Sequence, residues 1–324
     1  MADHSSHGGG TENAAALLQL RRQVTSHADA IRLACVWEAT AAKVGNVHPT
    51  AAFAECGYVD FCRAAEEVAP LLAGPDNKRP GDDQRPGNDQ RPGNDLQRAA
   101  LAAGANAGSP PLGDRVLAAI TATRAVTTAN VNLGIVLLIA PLAMARDRAD
   151  VRRVLAALTS ADGAKVYRAI AIAGAGGLDS DPVDPRWDVA TAAPEAIDLI
   201  AAMRLARDRD RIARQYAEDF DDFFDNVLPV VEAELAAADE IGEAIVRAQL
   251  RLLAAEPDSL ILRKCGAGIA DEVCRRAAAC WAAPDAAHRA QRKSLDHWLR
   301  EDGNRRNPGT TADLIAAALY WLIR

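Results

Sequence analysis

The chain is poor in aromatic residues, which make up only 4% of its 324 residues. Because its hydrophobic content is nevertheless 49%, small and aliphatic side chains must fill the core through close packing of helices. Alternation of β-branched and polar residues, which is typical of half-buried strands, is also scarce. Alanine-rich helical periodicity dominates instead, and it is clearest in segments 115–123, 151–158, 194–206 and 241–253. This pattern predicts an all-α fold with a single compact multi-helix domain.

The chain has no excess of positive charge, since 37 lysines and arginines face 44 acidic residues and the net charge is −7. A broad nucleic-acid surface normally shows a basic patch or overall basicity, so we expect neither RNA nor DNA as a partner. The basic run 204–214 alternates with Asp208 and Asp210. This alternation predicts a solvent-exposed helix face with ion pairs four residues apart.

Long hydrophobic runs are also missing. The longest, 133–145, contains Pro141 and is shorter than the roughly 20 residues of a membrane span, so it is predicted to be a core helix. The first residues do not show a basic start followed by an apolar stretch, as a secretory signal would. We therefore expect a cytoplasmic protein with no membrane partner.

The six cysteines lack CxxC spacing, and Cys274 and Cys280 with His288 match zinc-ligand spacing poorly. Reduced, mostly buried thiols are expected.

The acidic residues between 218 and 225 alternate with Phe220, Phe223 and Phe224, which should pack inward from a helix while most of the carboxylates face solvent. A dinuclear metal site is the alternative for this cluster, and it would need ligands from other helices.

Segment 79–95 repeats the hexapeptide RPGDDQ with almost no change. Proline, glycine, aspartate and asparagine at this density cannot bury a core, which predicts a disordered surface insertion over 74–110. The remainder is expected to be a flexible tail, 1–20, and an all-α domain, 21–324. A partner-docking loop or a lid over an active site is the functional alternative for the insertion.

Three blocks combine polar residues with helix ends. In TTANVNLG, 127–134, polar side chains lie directly against the apolar run that follows, where they either cap a helix or face a ligand. In EATAAKVGNVHP, 38–49, Glu38 and Lys43 lie near a helix end and form either a surface ion pair or a site for a metal-bound phosphate. In RRNPGTTAD, 305–313, a turn of small residues opens a helix whose free N–H groups could bind phosphate or be capped.

Together with DSLILRKCG, 258–266, and RDRDRIARQYAEDF, 207–220, these blocks resemble the triphosphoribosyl-dephospho-CoA synthase family. Members of that family make the prosthetic-group precursor of citrate lyase and malonate decarboxylase. The resemblance covers nearly the whole chain outside the tail and the insertion. The chain departs from the family where Lys43-Val44-Gly45 replaces a frequent Lys-Pro-Gly and where Asn132-Leu133-Gly134 replaces a His-Lys-Gly string. The chain therefore resembles a divergent branch of this family.

The resemblance implies a transfer of a triphosphoribosyl group from ATP to the ribose 2′-hydroxyl of dephospho-CoA, with release of adenine. It also implies that ATP is a substrate and that Mg²⁺ is the cofactor. The candidate catalytic residues are Glu38, His48 and Asp313, and the candidate metal ligands are Glu38, Asp188 and Asp313. The candidate substrate- and phosphate-binding residues are Lys43, Gly45, Asn46, Asn130, Asn132, Gly134, Arg263, Lys264, Asn307, Gly309, Thr310 and Thr311.

Two alternatives accompany this reaction. A divergent homologue could serve the biosynthesis of another cofactor, such as a one-carbon carrier of the methanopterin or furan type. The second alternative is a nucleotide-binding protein that has kept the nucleotide-binding pocket of the family but no longer catalyses the reaction. In each case the expected partners are nucleotides and cofactor-precursor small molecules, and the sequence leaves a homo-oligomer open.

Overall fold

The computed structural model describes residues 15–75, 109–174 and 196–324. This part of the chain folds into fifteen α-helices and one π-helical segment and contains no strand, which confirms the all-α prediction. In chain order the helices are α1 (Ala15–Gln23), α2 (His27–Thr40), α3 (Tyr58–Ala73), α4 (Leu112–Val126), α5 (Leu133–Ala143), α6 (Arg148–Ala156), α7 (Ser160–Ala173), α8 (Leu199–Ala206), α9 (Arg211–Ala217), the π-helical segment (Phe223–Val227), α10 (Leu228–Ala237), α11 (Ile241–Ala255), α12 (Ser259–Cys265), α13 (Ala267–Trp281), α14 (Asp285–Arg300) and α15 (Gly309–Ile323).

Two apolar helices, α5 and α15, form the centre of the core. They pack against each other, and α15 also contacts α2, α10 and α11. Residues 133–142 of α5 are all buried, as the sequence predicted for a core helix, and most of α15 is buried as well. A helix that is hydrophobic on all sides must be surrounded by protein. The polar blocks 127–134 and 305–313 lead into the first turns of these two central helices, so the fold buries the end of each block that enters its helix.

The sequence located the helices well and their ends less well. Segments 115–123 and 241–253 lie inside α4 and α11, whereas the predicted 194–206 corresponds to the shorter α8. The expected tail boundary at residue 20 is wrong, because α1 begins at Ala15 and Leu20 is buried. The repeat at 79–95 and Asp188 lie outside the described residues.

Of the two surface predictions, the one for the basic run needs correction, whereas most carboxylates of the acidic cluster face solvent as predicted, with Asp221 45% and Asp225 56% exposed. Arg211, in the run expected to be solvent-exposed, is buried and pairs with Asp222 at 2.9 Å. In the acidic cluster, Asp221 and Asp225 both pair with Arg148, so these carboxylates bind arginine. Phe220, which is fully buried, follows the prediction that the phenylalanines pack inward.

The prediction of reduced, mostly buried cysteines holds only in part. All six cysteines are free, although only Cys35 and Cys280 are buried. None of the helices in the described ranges combines the length and apolar character that a membrane crossing requires.

Candidate functional site

Gly134, in the first turn of α5, lies directly against the side chain of Asp313 in α15. A Cβ atom at position 134 would lie 2.5 Å from Asp313 Cγ and closer still to its Oδ2. No real side chain tolerates such an approach, so this position of the carboxylate requires glycine at 134. The two residues come from different blocks of the sequence, and the fold joins them.

The Asp313 carboxylate has no hydrogen-bond or ion-pair partner in the described part of the chain. Burial raises its pKa well above the usual range, and the nearby carboxylates of Glu38, Asp258 and Asp210 raise it further, while Arg263 acts in the opposite direction. The side chain keeps part of its surface exposed, so a ligand can approach it. This arrangement attracts a cation or a proton, because charged carboxylates repel one another at short range.

Glu38 and Lys43 form a buried ion pair next to this carboxylate. Glu38 lies in the last turns of α2, which ends at Thr40, and its Oε1 is 2.8 Å from Lys43 Nζ. Lys43 also donates to the Glu38 carbonyl oxygen, and its side chain has no exposed surface. The predicted ion pair therefore exists, but it is buried and does not lie at the surface. Lys43 is not free to bind phosphate in this conformation. It neutralises Glu38 instead.

The loop after Lys43 is held in place by α11. Gln249 is fully buried, accepts from the Val44 backbone N–H at 2.8 Å, and donates to the Asn46 side-chain oxygen at 2.7 Å. The predicted ligand-binding amide of Asn46 is therefore already bonded within the protein. Gln249 was not among the sequence candidates, although a single buried glutamine in an apolar helix face is a signal that could have found it.

The same loop is also held by α14. Asp296 Oδ1 accepts from the Gly45 N–H at 2.8 Å, and Arg300 donates to the Asn46 carbonyl oxygen at 2.5 Å. Gly45 has a φ of +71°, and a Cβ there would lie 2.9 Å from Leu299. Gly45 thus has a structural reason to be glycine and contributes no free phosphate-binding group.

His48 follows this loop and is half-buried. Its Nδ1 lies 3.2 Å from the Thr50 hydroxyl, and burial lowers its pKa, with Arg300 acting in the same direction. A histidine with a lowered pKa is neutral near pH 7 and can accept a proton. This is the protonation state that a general base needs.

The start of α15 is capped by a carboxylate from another helix. Asp258 Oδ2 accepts from the Thr311 N–H and from the Thr311 hydroxyl, each at 2.7 Å. The Thr310 hydroxyl lies 3.0 Å from that of Ser259. The capping alternative is therefore the one observed at Thr311, whose N–H and hydroxyl are both bonded, and the Thr310 hydroxyl is bonded as well. The backbone N–H of Gly309 is also bonded, to the Asn307 carbonyl oxygen at 2.9 Å.

Asp258 and Asp210 were missed as site residues, although both lie inside recognised blocks. Asp258 also caps α12, by accepting from the N–H groups of Leu260 and Ile261. Burial raises its pKa, and these hydrogen bonds act against that shift. An aspartate immediately before a helix is an ordinary capping signal, so the sequence could reveal the cap of α12 but not the second helix that Asp258 binds.

The remaining cationic candidates differ in their pairing. Arg263 pairs with Asp210 at 2.5 Å, and Asp210 also caps α9. Among the described residues, the Lys264 ammonium group has a single hydrogen-bond partner, the side-chain oxygen of Asn307, at 3.5 Å. Burial lowers the pKa of Lys264, and Arg263 lowers it further. Lys264 is therefore the least neutralised of the predicted phosphate-binding cations.

The two asparagines of block 127–134 have different roles. Asn130 is exposed, and its Oδ1 accepts from the Leu133 N–H at 3.3 Å, which caps the start of α5. Asn132 is buried and donates to Thr123 Oγ1 at 2.9 Å, but its own Oδ1 has no partner. A buried amide oxygen without a donor is costly, and it is consistent with a ligand that supplies one.

No group of three or more histidine, cysteine, aspartate or glutamate residues is arranged to hold a metal ion among the residues with described positions. Glu38 and Asp313 are the two predicted metal ligands in this part of the chain, and the charge of Glu38, after burial, raises the pKa of Asp313. Magnesium takes only one or two protein carboxylates when phosphates and water complete its shell. These two residues therefore fit a magnesium ion that is bound together with a phosphate substrate.

Comparisons with known proteins identify the family of the chain. The family model described as CitG, ATP:dephospho-CoA triphosphoribosyl transferase, matches residues 25–323. A crystal structure of a protein from Archaeoglobus fulgidus, provisionally assigned as a triphosphoribosyl-dephospho-CoA synthase, has a TM-score of 0.51 and 24% sequence identity. That match covers 66% of this chain and 89% of the other, and at this identity it indicates the fold alone.

None of the curated proteins compared with the chain matches it. The family model, however, includes the central helices and every described candidate residue. The resemblance drawn from the sequence blocks is thereby confirmed. Because the match extends over nearly its whole length, the chain belongs to the CitG family of ATP:dephospho-CoA triphosphoribosyl transferases and is a transferase of the triphosphoribosyl-dephospho-CoA synthase type.

Proposed function

We propose that the chain transfers the triphosphoribosyl group of ATP to the ribose 2′-hydroxyl of dephospho-CoA. The hydroxyl oxygen forms a bond to the anomeric carbon of the ATP ribose, and the bond from that carbon to adenine breaks. Adenine leaves with the electron pair of the broken bond and takes up a proton, while the hydroxyl loses one. The observation that carries the proposal is the Asp313 carboxylate, which has no partner and faces Gly134 in a chain of this family.

Asp313 and Glu38 are the residues that would hold Mg²⁺. The pKa of Asp313 is raised by burial and by three neighbouring carboxylates, and this surplus of negative charge favours a bound cation. Oxygen atoms of carboxylates are the donors that Mg²⁺ prefers. When bound, the ion supplies charge neutralisation for the triphosphate. Lys43 holds the Glu38 carboxylate in place through an ion pair of 2.8 Å between Nζ and Oε1.

His48 is the better of the two candidate bases for the acceptor hydroxyl. Glu38 is already engaged by Lys43, whereas His48 has a lowered pKa and is neutral near pH 7. Its Nδ1 is occupied by Thr50, which leaves Nε2 to accept the proton. A positioned base of this kind contributes roughly 10² to 10⁴ in rate.

Asn132 orients a substrate hydroxyl in this proposal. Its Oδ1 is a buried acceptor without a donor, and its Nδ2 is fixed by Thr123. A ribose hydroxyl can donate to such an oxygen, which would satisfy it. Asn132 is the N-terminal flanking residue of α5, immediately before the turn that carries Gly134.

Chromatographic detection of adenine tests the proposal. The purified chain is incubated with ATP, Mg²⁺ and dephospho-CoA, and parallel reactions omit each component in turn. We expect adenine to appear only in the complete mixture. Adenine that forms equally well without dephospho-CoA would contradict the proposed acceptor. ATP binding without any adenine would contradict the transfer itself and would favour another acceptor or another reaction.

A further inference from the structure

Three cations converge beside the carboxylate site, where α12 ends. Lys264 lies in the last turn of α12, and Arg305 and Arg306 lie in the loop that leads to α15. The end of α12 is bonded to this loop, because the Cys265 thiol donates to the Arg305 carbonyl oxygen at 3.6 Å. Burial and Asp302 raise the pKa of this thiol, and all three cations lower it. Cys265 is partly exposed, so this convergence lies at the surface.

This cluster carries more positive charge than its neighbours neutralise. Lys264 and Arg306 have no carboxylate within ion-pair distance in the described ranges, and Arg305 has only Asp302, at 3.9 Å. The exposed carboxylate of Glu55 acts on Lys264 from a greater distance, and Asp258 does so from within the protein. In a chain with a net charge of −7, an unneutralised group of cations indicates an anionic ligand.

The cluster is also held in one geometry. Arg305 donates to the Lys264 carbonyl oxygen at 2.7 Å, which fastens the loop to the end of α12. The Arg306 guanidinium lies 4.5 Å above the ring of Trp298 and donates to the Trp298 carbonyl oxygen at 3.0 Å. Its Nε is buried without a partner. Preorganised donors lose little side-chain entropy when an anion binds.

The expected phosphate position, at the start of α15, is occupied by protein groups. Asp258 accepts from Thr311 there, and its negative charge would repel a phosphate. The cation cluster is the nearest alternative, because Lys264 contacts Asn307, which lies two residues before α15 begins. Asp313 is four residues into that helix, which corresponds to about 6 Å along its axis.

We propose that Lys264, Arg305 and Arg306 form a binding site for a polyphosphate chain, next to the carboxylate site and separate from the start of α15. The inference rests on the proposed function only in naming the sources of that chain, which are the triphosphate of ATP and the diphosphate of dephospho-CoA. Several adjacent phosphates match several adjacent cations, and arginine binds phosphate oxygens through two N–H groups at once.

Calorimetric titration of the full chain with inorganic tripolyphosphate tests this site without turnover. The titration contains a chelator, so that no metal takes part, and it is run at low and at high salt. We expect Lys264→Met and Arg305→Ala each to raise Kd about tenfold or more, as the loss of one charge-assisted contact does. The Kd should also rise with salt, because exposed charges are screened. Arg152→Ala is the matched control, since it removes one positive charge from α6, where Arg152 pairs with Asp221.

A double variant that combines Lys264→Met with Arg305→Ala completes the set. A Kd in this double variant equal to that of the wild type would overturn the site, as would an equal loss in Arg152→Ala or a wild type that does not bind tripolyphosphate. Kinetics then identify the source: a higher KM for ATP assigns the triphosphate, and a higher KM for dephospho-CoA assigns the diphosphate. The two proposals can fail separately. If binding depends on Lys264 and Arg305 but no adenine is released, the proposed function fails and the site stands. If adenine release continues with unchanged KM values in the double variant, the site fails and the function stands.

Discussion

Gly134 determines how closely Asp313 approaches helix α5. The carboxylate occupies the space where any other residue would place its Cβ atom. The sequence indicated both residues through separate blocks, but it could not show that they touch, because 178 residues separate them and only the packing of α5 on α15 joins them. Their contact is a property of the fold.

Gly134→Ala should lose both stability and activity. The added methyl group would overlap Asp313 Oδ2 and force α5 and α15 apart, at a cost of about 2 kcal/mol. Gly268→Ala is the matched control, because it is also in a helix and its Cβ would meet no atom within 4 Å. The free energy of unfolding of the control should rise by up to about 1 kcal/mol, because alanine has a higher helix propensity than glycine. Urea denaturation of both variants measures the difference, and equal behaviour would show that Asp313 is not held against Gly134.

Asp313→Asn should abolish most of the activity without weakening the fold. The amide removes a carboxylate from a group of carboxylates whose mutual repulsion raises the pKa of Asp313, so Tm should stay the same or rise. We expect kcat to fall by about 100-fold or more, as the loss of one electrostatic group in an active site does. Asp271→Asn, an exposed change on α13, is the control. An Asp313→Asn variant with normal turnover would remove this residue from the site.

Helices α12 and α15 depend on one shared cap. Asp258 accepts hydrogen bonds from the first turns of both helices, so it fixes the segment that carries Arg263 and Lys264 relative to the segment that carries Asp313. The sequence predicted that the small residues of 305–313 form a turn that opens a helix, and α15 begins within this block, at Gly309. It predicted free N–H groups for phosphate at that opening, and the cap from α12 occupies the N–H of Thr311 instead. When the capping residue comes from a distant segment, the sequence around the capped helix contains no pattern that reveals it.

Asp258→Ala should lower the free energy of unfolding by more than the loss of an ordinary helix cap does. An ordinary cap is worth about 1 kcal/mol, and Asp258 serves two helices, so we expect about 2 to 4 kcal/mol. Asp198→Ala is the comparison, because Asp198 caps only α8, through one hydrogen bond of 2.9 Å to Ala201. Denaturant unfolding of both variants gives the two values. If Asp258→Ala cost no more than Asp198→Ala, the link between α12 and α15 would be energetically unimportant.

Over the whole molecule, the fold joins the two ends of the described chain. His27, at the start of α2, bonds to the hydroxyl of Tyr320 near the end of α15, and Arg21 donates to the Leu322 carbonyl oxygen at 3.0 Å. The sequence predicted the helices, the core and the family, because these depend on composition, periodicity and local blocks. It could not predict these long-range polar contacts, nor the burial of Lys43, because they depend on how distant helices meet.

Stability should fall as pH decreases from about 6.5 to 4, in part because of His27. Burial lowers the pKa of His27 to about 4, with Arg324 and Arg115 acting in the same direction, so the unfolded chain binds a proton that the folded chain refuses. This contributes up to about 3 kcal/mol, fully lost below the lower pKa. His27→Gln should flatten the pH dependence of the free energy of unfolding in this window, whereas the exposed His297→Gln should not. Parallel pH profiles for the wild type and His27→Gln would contradict this.

The measurement that tests the central claim most directly is mass spectrometry of the product made from ATP labelled with ¹³C in its ribose. We expect the label in a dephospho-CoA adduct that has gained three phosphates in addition to its own diphosphate. We also expect the released adenine to carry no label. An adduct that retains adenine, or a product without labelled ribose, would contradict transfer of the triphosphoribosyl group.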